Sequence, residues 1–559
     1  MEFLDARRLT GPSLLFDGPA AVVDVSCTAE EAEDLTPLWA DNVARMLEAL
    51  DWPSASFASV RLEGGVSLAF TAPIDALYAA VAIGEWAWAA SARALGAADS
   101  EPDFEVTLAE IRAAAEEEAN PELMWLIDEA AARDKPVLWD DDEVSVGLGR
   151  GSQRWPVRSI PDAPDWDACA AVPVGIVTGT NGKTTTVRLA MHILRTAGRN
   201  VGLSSTDWIA VNERIIDRDD WSGPGGARAV LRETDVEVAI LETARGGLLR
   251  RGLGVQQADV ALITNVSEDH LGDFGSRNLD ELLAIKWIVS RAVRASGRLV
   301  LNADDERLVG RAADYDGELV WFSQDAANVT VSRHVAAGGT AFVLDGRTLV
   351  RLGDGSREAI CDSGDIPIAL GGAARHNVAN ALAAAALCWC LGAPLAGIRA
   401  GLMSMAQDSN PGRCNILELD GKKILIDFAH NPAAMGALFD MASAIPAERR
   451  VLCFGQAGDR TDGLIRELAR DAWAIGLDRV VISELARYHR GREHGEVYGL
   501  IRDELLRAGA SDEQIAYHQE EVDSLQDAID WARPGDLIIM LALGSYMPVR
   551  DRLKVLGAE

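Results

Sequence analysis

Val174-Gly175-Ile176-Val177-Thr178-Gly179-Thr180-Asn181-Gly182-Lys183-Thr184-Thr185-Thr186 is an apolar run, a glycine-bearing turn and a Lys-Thr pair in direct succession. Leu189, Ile193 and Leu194 then continue at helical spacing. The stretch therefore reads as strand, phosphate loop, helix. Backbone N–H groups in such a turn, backed by the positive end of the helix, bind phosphate oxygens. Lys183 is expected to reach the outer phosphates of a nucleotide, and the Thr184 hydroxyl to hold Mg²⁺. The spacing is Gly-x-x-Gly-Lys-Thr, with Val177 where the commoner loop carries its first glycine.

Downstream of this loop, Val236–Leu241, Val260–Thr264 and Leu299–Leu301 are apolar runs separated by helical or polar stretches. Such runs mark a largely parallel sheet with both faces covered. Ligands in such sheets bind beyond the carboxyl ends of the strands. Polar residues gather there. Glu242 follows one run and Asp269-His270 another, which makes Glu242 and His270 candidate metal ligands beside the loop. From Pro411 the alternation resumes with strands expected at Ile424–Phe428, Val451–Phe454, Val480–Ser483 and Leu537–Leu541.

The 559 residues suffice for about three domains. Hydrophobic residues make up 48% and charged residues 25%, a globular rather than disordered balance. The net charge of −33 disfavours nucleic acid and acidic membrane surfaces. Seven scattered cysteines with no Cys-x-x-Cys pair indicate neither a zinc site nor a disulfide framework, and fit a cytoplasmic protein. The apolar stretch Ala381–Ile398 contains Gly392 and Pro394 and reads as a buried helix, not a membrane span. Ahead of the loop, helices are expected over Ala29–Leu50, Ile74–Leu95, 101–120 and Pro121–Ala132. Short strands are expected at Pro136–Trp139 and Val144–Leu148. Asp140-Asp141-Asp142 reads as an exposed acidic turn and Pro156–Asp167 as a linker.

Gly-Thr-Asn-Gly-Lys-Thr-Thr, Glu242, Asp269-His270-Leu271-Gly272 and Lys286 together resemble the Mur ligase superfamily. Leu301-Asn302-Ala303-Asp304-Asp305, His376-Asn377, Pro411-Gly412-Arg413, Asp427-Phe428-Ala429-His430-Asn431-Pro432 and Gly458-Asp459-Arg460 are similar to its later landmarks. Within it, Glu242-Thr243-Ala244-Arg245-Gly246-Gly247-Leu248-Leu249-Arg250 is similar to a segment of the cyanophycin synthetases. Leu9-Thr10-Gly11-Pro12 and Asn120-Pro121 through Gly149-Arg150-Gly151 echo their N-terminal part. In that family an ATP-grasp domain of several hundred residues follows the last of these segments. Here only about 25 residues separate Gly149 from Val174, too few for one.

The resemblance implies an α/β protein of three domains: an α+β N-terminal domain (1–160), a central ATP-binding domain with a parallel sheet (171–410) and a Rossmann-like C-terminal domain (411–559). It implies that Gly179, Thr180, Asn181, Gly182, Lys183, Thr184 and Thr185 bind ATP. Thr184, Glu242 and His270 would hold Mg²⁺, and Lys286 corresponds to a lysine often carbamylated. His376 and Asn377 would line the adenine pocket. Arg413, Asp427, His430 and Arg460 would reach the nucleotide from the C-terminal domain. The implied activity joins a carboxylate to an amine through an acyl phosphate, on an amino acid or short peptide related to cyanophycin-type substrates. Glu484, Glu493 and Glu496 are placed to favour a cationic amine. The alternative is a nucleotide-binding pseudo-ligase that serves a separate ATP-grasp enzyme as scaffold. Expected partners are ATP and small or peptide substrates, with no nucleic acid and no membrane. A homo-oligomer and an ATP-grasp partner both stay open.

Overall fold

The computed structural model describes all residues except 63, 99, 101, 102, 269–277, 545 and 559. The described residues fall into four sheets. The largest has eleven strands, and the strand Val174–Thr178 lies near its middle. Its neighbours are Val238–Glu242 on one side and Ala258–Ile263 on the other, both parallel to it. Parallel pairing continues outward through Val201–Ser204 on one flank and through Val293–Asn302, Glu318–Ser323 and Thr340–Asp345 on the other. Antiparallel strands close both margins. The chain leaves Val174–Thr178 for one flank and returns to Ala258–Ile263 on the other. The carboxyl ends on either side of that reversal thus form one crevice.

Both faces of this sheet are covered, so its central strands are apolar up to their carboxyl ends. On one face the helices Lys183–Thr196 and Arg375–Cys390 lie against it and each other. Arg375–Cys390 is alanine-rich and buried from Ala381 to Cys388, so small side chains let it approach closely. The helix ends at Cys390, with Gly392 at φ +87° just past it. No helix among the described residues is long and apolar enough to cross a membrane.

The C-terminal sheet has six strands in the order Asn415–Leu419, Lys422–Asp427, Leu537–Leu541, Arg450–Phe454, Arg479–Ser483, Ile515–His518. Only the first pair is antiparallel. All four strands expected here are present. The first 71 residues form a four-stranded antiparallel sheet against which the helices Ala29–Ala49 and Leu77–Ala94 bury Leu35, Trp39, Met46, Leu68, Phe70 and Ile83. Thr28 and Glu31 cap the first of these helices reciprocally.

A three-stranded sheet, Val137–Trp139, Glu143–Val146 and Gln153–Pro156, joins this unit to the large sheet. Its third strand takes in Pro156, the first residue of the expected linker. Asp140-Asp141-Asp142 is the expected turn, with Asp141 and Asp142 exposed, but two of its carboxylates are paired. Asp141 accepts from both Arg8 Nη1 and Nη2, at 2.8 and 3.0 Å, and from Tyr78 Oη at 2.8 Å. Asp140 accepts from Arg232 Nη1 at 2.6 Å. Two neighbouring carboxylates therefore pull in opposite directions, one on the N-terminal sheet and one on the large domain. Backbone contacts reinforce the join: Thr10 N donates to Arg251 O at 2.9 Å and Leu253 N to Pro12 O at 2.8 Å.

Burial alone would raise the Asp140 carboxyl, but the Glu143 N–H and Arg232 outweigh it and hold it below the ordinary carboxylate range. A depressed folded-state value stabilises above the unfolded value, near 4, and that contribution fades as pH falls through the folded value. Arg232 is buried and Asp140 half-buried, so the pair lies between the buried and surface limits. Arg232→Met is expected to cost about 2–3 kcal/mol at neutral pH, measured by urea unfolding. The gap to the unaltered chain should narrow as pH falls below the ordinary carboxylate range and through the depressed Asp140 value, where Asp140 protonates in both proteins.

Candidate active site

The crevice over the carboxyl ends of the large sheet opens into a cleft of about 1510 Å³ whose far wall is the C-terminal domain. Gly179 to Thr185 form its floor. Gly179 (φ +148°) and Gly182 (φ +84°) shape the turn, and neither leaves room for a side chain. A Cβ on Gly182 would stand 2.2 Å from Asn380 Oδ1. The loop is fixed from the neighbouring strand end: Thr264 Oγ1 donates to Asn181 O at 2.7 Å, and Asn181 N donates to Asn265 Oδ1 at 3.0 Å. Lys183 curls back, with Nζ donating to Gly179 O and Thr180 O at 2.8 Å each.

Glu242 ends the strand Val238–Glu242 and is 2% exposed. Thr184 Oγ1 donates to its Oε1 at 3.0 Å. Thr206 donates to it twice, from Oγ1 at 2.7 Å and from its backbone N at 3.2 Å. This buried carboxylate has hydroxyl and N–H partners and faces the phosphate loop. The oxygens of Thr184 and Glu242 suit a hard cation such as Mg²⁺, with the remaining positions left to phosphate and water. His270 lies outside the described residues. Lys286, on the helix Leu279–Trp287, is buried and lines the same cleft.

His376 and Asn377 open the helix Arg375–Cys390 at the cleft wall. Burial pushes the His376 imidazole below its ordinary value, so it stands neutral at pH 7. Its Nε2 lies 3.1 Å from Cys414 Sγ, while its buried Nδ1 has no partner among the described residues. Burial and Asp427 push the Cys414 thiol up, and Sγ donates to Asp427 Oδ2 at 3.3 Å. Asn377 does not present its amide to the cleft alone. Its Nδ2 donates to Ile368 O at 2.8 Å, and its Oδ1 accepts from Asn380 Nδ2 at 3.1 Å. It thereby steadies the side chain beneath Gly182.

From the C-terminal side come Arg413, Asp427, His430 and Arg460. Arg413 lies over the Phe428 ring, 4.5 Å from its centroid. Asp427 accepts from Cys414 N at 2.8 Å and Ala429 N at 2.7 Å, tying the interdomain turn to its strand end. His430 Nδ1 stands 2.9 Å from Phe428 O. Asn431, fully buried, caps the helix Pro432–Ala444 and meets Asn181 in a reciprocal amide pair at 2.9 and 3.3 Å. That pair joins the C-terminal domain directly to the phosphate loop.

Every described residue named from the sequence for the nucleotide, the metal or the carbamate lines this one cleft. The three acids named for the amine do not. Glu484 is buried beneath Tyr517 Oη (2.7 Å) and His489 Nε2 (2.9 Å), and Glu496 pairs with Arg492. Neither these nor Glu493 line the cleft. From that segment Leu485, Tyr488 and Arg490 do. The expected preference for a cationic amine thus loses its residues. Sequence reasoning passed over Thr206, the second partner of Glu242. Its position just past the strand Val201–Ser204 was the available signal.

Residues 177–388 match the model of the Mur ligase middle domain, and residues 412–544 that of the Mur ligase glutamate ligase domain. The cyanophycin synthetase of Crocosphaera subtropica is 33% identical over 384 residues, 68% of this chain and 43% of that protein. That of Synechocystis sp. is 35% identical over 373 residues, 66% and 42%. The chain thus spans less than half the length of these relatives. The UDP-N-acetylmuramoyl-tripeptide–D-alanyl-D-alanine ligase of Escherichia coli is 28% identical over 321 residues, 56% of this chain and 64% of that protein. Among solved structures, E. coli FolC in complex with DHPP and ADP superposes with a TM-score of 0.50 at 17% identity, over 68% of this chain and 89% of that one. With both matched stretches together taking up more than half of its length, the chain belongs to the Mur ligase superfamily.

Proposed function

We propose that the chain is an ATP-dependent carboxylate–amine ligase acting on an amino acid or short peptide related to cyanophycin-type substrates. The observation that carries this reading is the convergence, in one cleft, of the phosphate loop, the buried Thr184–Glu242 oxygen pair and Arg413 from the second domain. In this reading the loop N–H groups and Lys183 bind the β- and γ-phosphates of ATP. Thr184 and Glu242 hold Mg²⁺, which offsets phosphate charge, and Lys286 as a carbamate adds an anion to that side.

The carboxylate of the first substrate attacks the γ-phosphorus, and the bond to ADP breaks. The acyl phosphate formed is attacked at its carbonyl carbon by the amine, and phosphate leaves with the amide in place. Lys183 and Arg413 offset the charge that gathers on the transferring group, and the two domains hold the reactants in line. Enclosure by both domains keeps water from the acyl phosphate.

A screen of amino acids and dipeptides with Mg²⁺ and ATP, read by mass spectrometry, tests the proposal. The expected result is one carboxylate–amine pair that yields an amide and ADP in equal amounts. ATP binding without ADP from any pair would overturn it in favour of a nucleotide-binding scaffold.

A further inference from the structure

Arg188 is an unusual residue to find at the centre of an interdomain joint. It lies in the helix Lys183–Thr196, one turn beyond Thr184, and is 4% exposed. Its Nη1 donates to Asn410 Oδ1 at 3.1 Å and to Pro411 O at 3.3 Å. Its Nη2 donates to Asp207, and the guanidinium lies over the Trp208 ring, 4.0 Å from the centroid. Burial pushes it down to about 10, against the pull of Asp207, which still leaves it charged at neutral pH. A buried charge of this kind is costly unless every partner is in place.

The two sides that Arg188 joins are both functional. Asp207 directly follows Thr206, whose N–H and hydroxyl hold Glu242. Asn410 and Pro411 open the turn that carries Arg413 into the cleft. Asn410 is fully buried, its Nδ2 donates to Thr185 Oγ1 at 3.2 Å, and its carbonyl accepts from Arg413 N at 3.3 Å. A continuous path therefore runs from Thr184 through Glu242, Thr206, Asp207 and Arg188 to the Asn410–Arg413 turn.

We propose that Arg188 is a positioning residue that couples occupancy of the Thr184–Glu242 pair to the seating of the C-terminal domain, and so to the delivery of Arg413. This rests on reading the cleft as a nucleotide site. A shift of Glu242 toward a bound cation moves Thr206 and Asp207. Arg188 then follows Asp207 and carries Asn410 and Pro411 with it. A lysine in its place keeps the charge, but its single ammonium cannot span Asp207 and the turn together with the planar fork of a guanidinium.

The test uses the full chain with Mg²⁺ and AMP-PNP. Small-angle scattering reads domain closure at saturating nucleotide, and calorimetry reads affinity. The unaltered chain is expected to contract on binding. In Arg188→Lys the contraction should be lost, and the affinity should fall roughly tenfold, since coupling is reciprocal. Asp207→Asn, whose side chain is partly exposed, should do the same, and it decides the matter if Arg188→Lys fails to fold. Variants that contract like the unaltered chain and show only a lower melting temperature would make Arg188 a structural residue and overturn the proposal. Failure of the unaltered chain to bind AMP-PNP would instead overturn the reading of the cleft, and the proposal with it.

Discussion

Lys183→Ala is expected to abolish ADP release. The ammonium donates to two loop carbonyls and stands at the mouth of the phosphate turn. Alanine removes the cation and both bonds, yet leaves the loop held by Thr264 and Asn265. The fold should survive with little change in melting temperature. What is lost is charge stabilisation of the transferring phosphoryl group. A single preorganised donor in such a site contributes about 10²–10³ in rate, and a full positive charge should exceed the upper figure. A coupled assay for ADP with the productive substrate pair measures this. Turnover near that of the unaltered protein would mean that phosphate is not bound at this loop.

Glu242→Gln should give the second large effect, with an opposite consequence for stability. Glutamine keeps the shape and can still accept from the Thr184 hydroxyl. It loses the negative charge, and its NH₂ now meets either the Thr206 N–H or both hydroxyls that Oε1 now accepts from. Activity should fall by roughly 10² or more, and the Mg²⁺ concentration for half-maximal rate should rise at least about tenfold. The metal-free protein, by contrast, should melt no lower than the unaltered one. A buried carboxylate with only hydroxyl and N–H partners is costly in the absence of a cation, and the substitution removes that charge. Mg²⁺ titration of ADP release and thermal melts without metal separate the two effects. Unchanged Mg²⁺ dependence would remove Glu242 from the metal site.

The architecture was legible because the sheet strands are covered on both faces. Val174–Thr178, Val238–Glu242 and Ala258–Ile263 show in the sequence as plain apolar runs, shifted by a residue or two. Leu299–Leu301 was only the inner end of a strand that begins at Val293. Its outer half hides behind Arg294 and Arg298, whose charges are met by Asp259 and Glu318 on the flanking strands. The margin strand Arg214–Asp217 is exposed along its length and carries no alternation to read.

The same logic divides the site. Residues that neighbour one another in sequence, from Gly179 to Thr185 or from Asp427 to Asn431, declare themselves through their order. Arg188, the Thr206-Asp207 pair and Asn410 sit on three separate segments, and only the packing brings them together. The acidic run at Asp140 is the turn expected, but its ion pairs stayed hidden for a related reason. Its partners Arg8 and Arg232 stand far away in the chain, so a paired carboxylate and a solvated one look alike.

The reciprocal amide pair between Asn181 and Asn431 also bears on chemical ageing. Asn181 precedes Gly182, and asparagine before glycine is the dipeptide most open to deamidation, because little hinders attack of the following backbone nitrogen on the side-chain carbonyl. Here the carboxamide is held by Asn431, and the Asn181 carbonyl accepts from Thr264 and Asn265. The cyclisation geometry is thus denied for as long as the C-terminal domain stays seated. Conversion to aspartate would place a negative charge in the turn that binds phosphate, so the interdomain contact also preserves the covalent integrity of the loop.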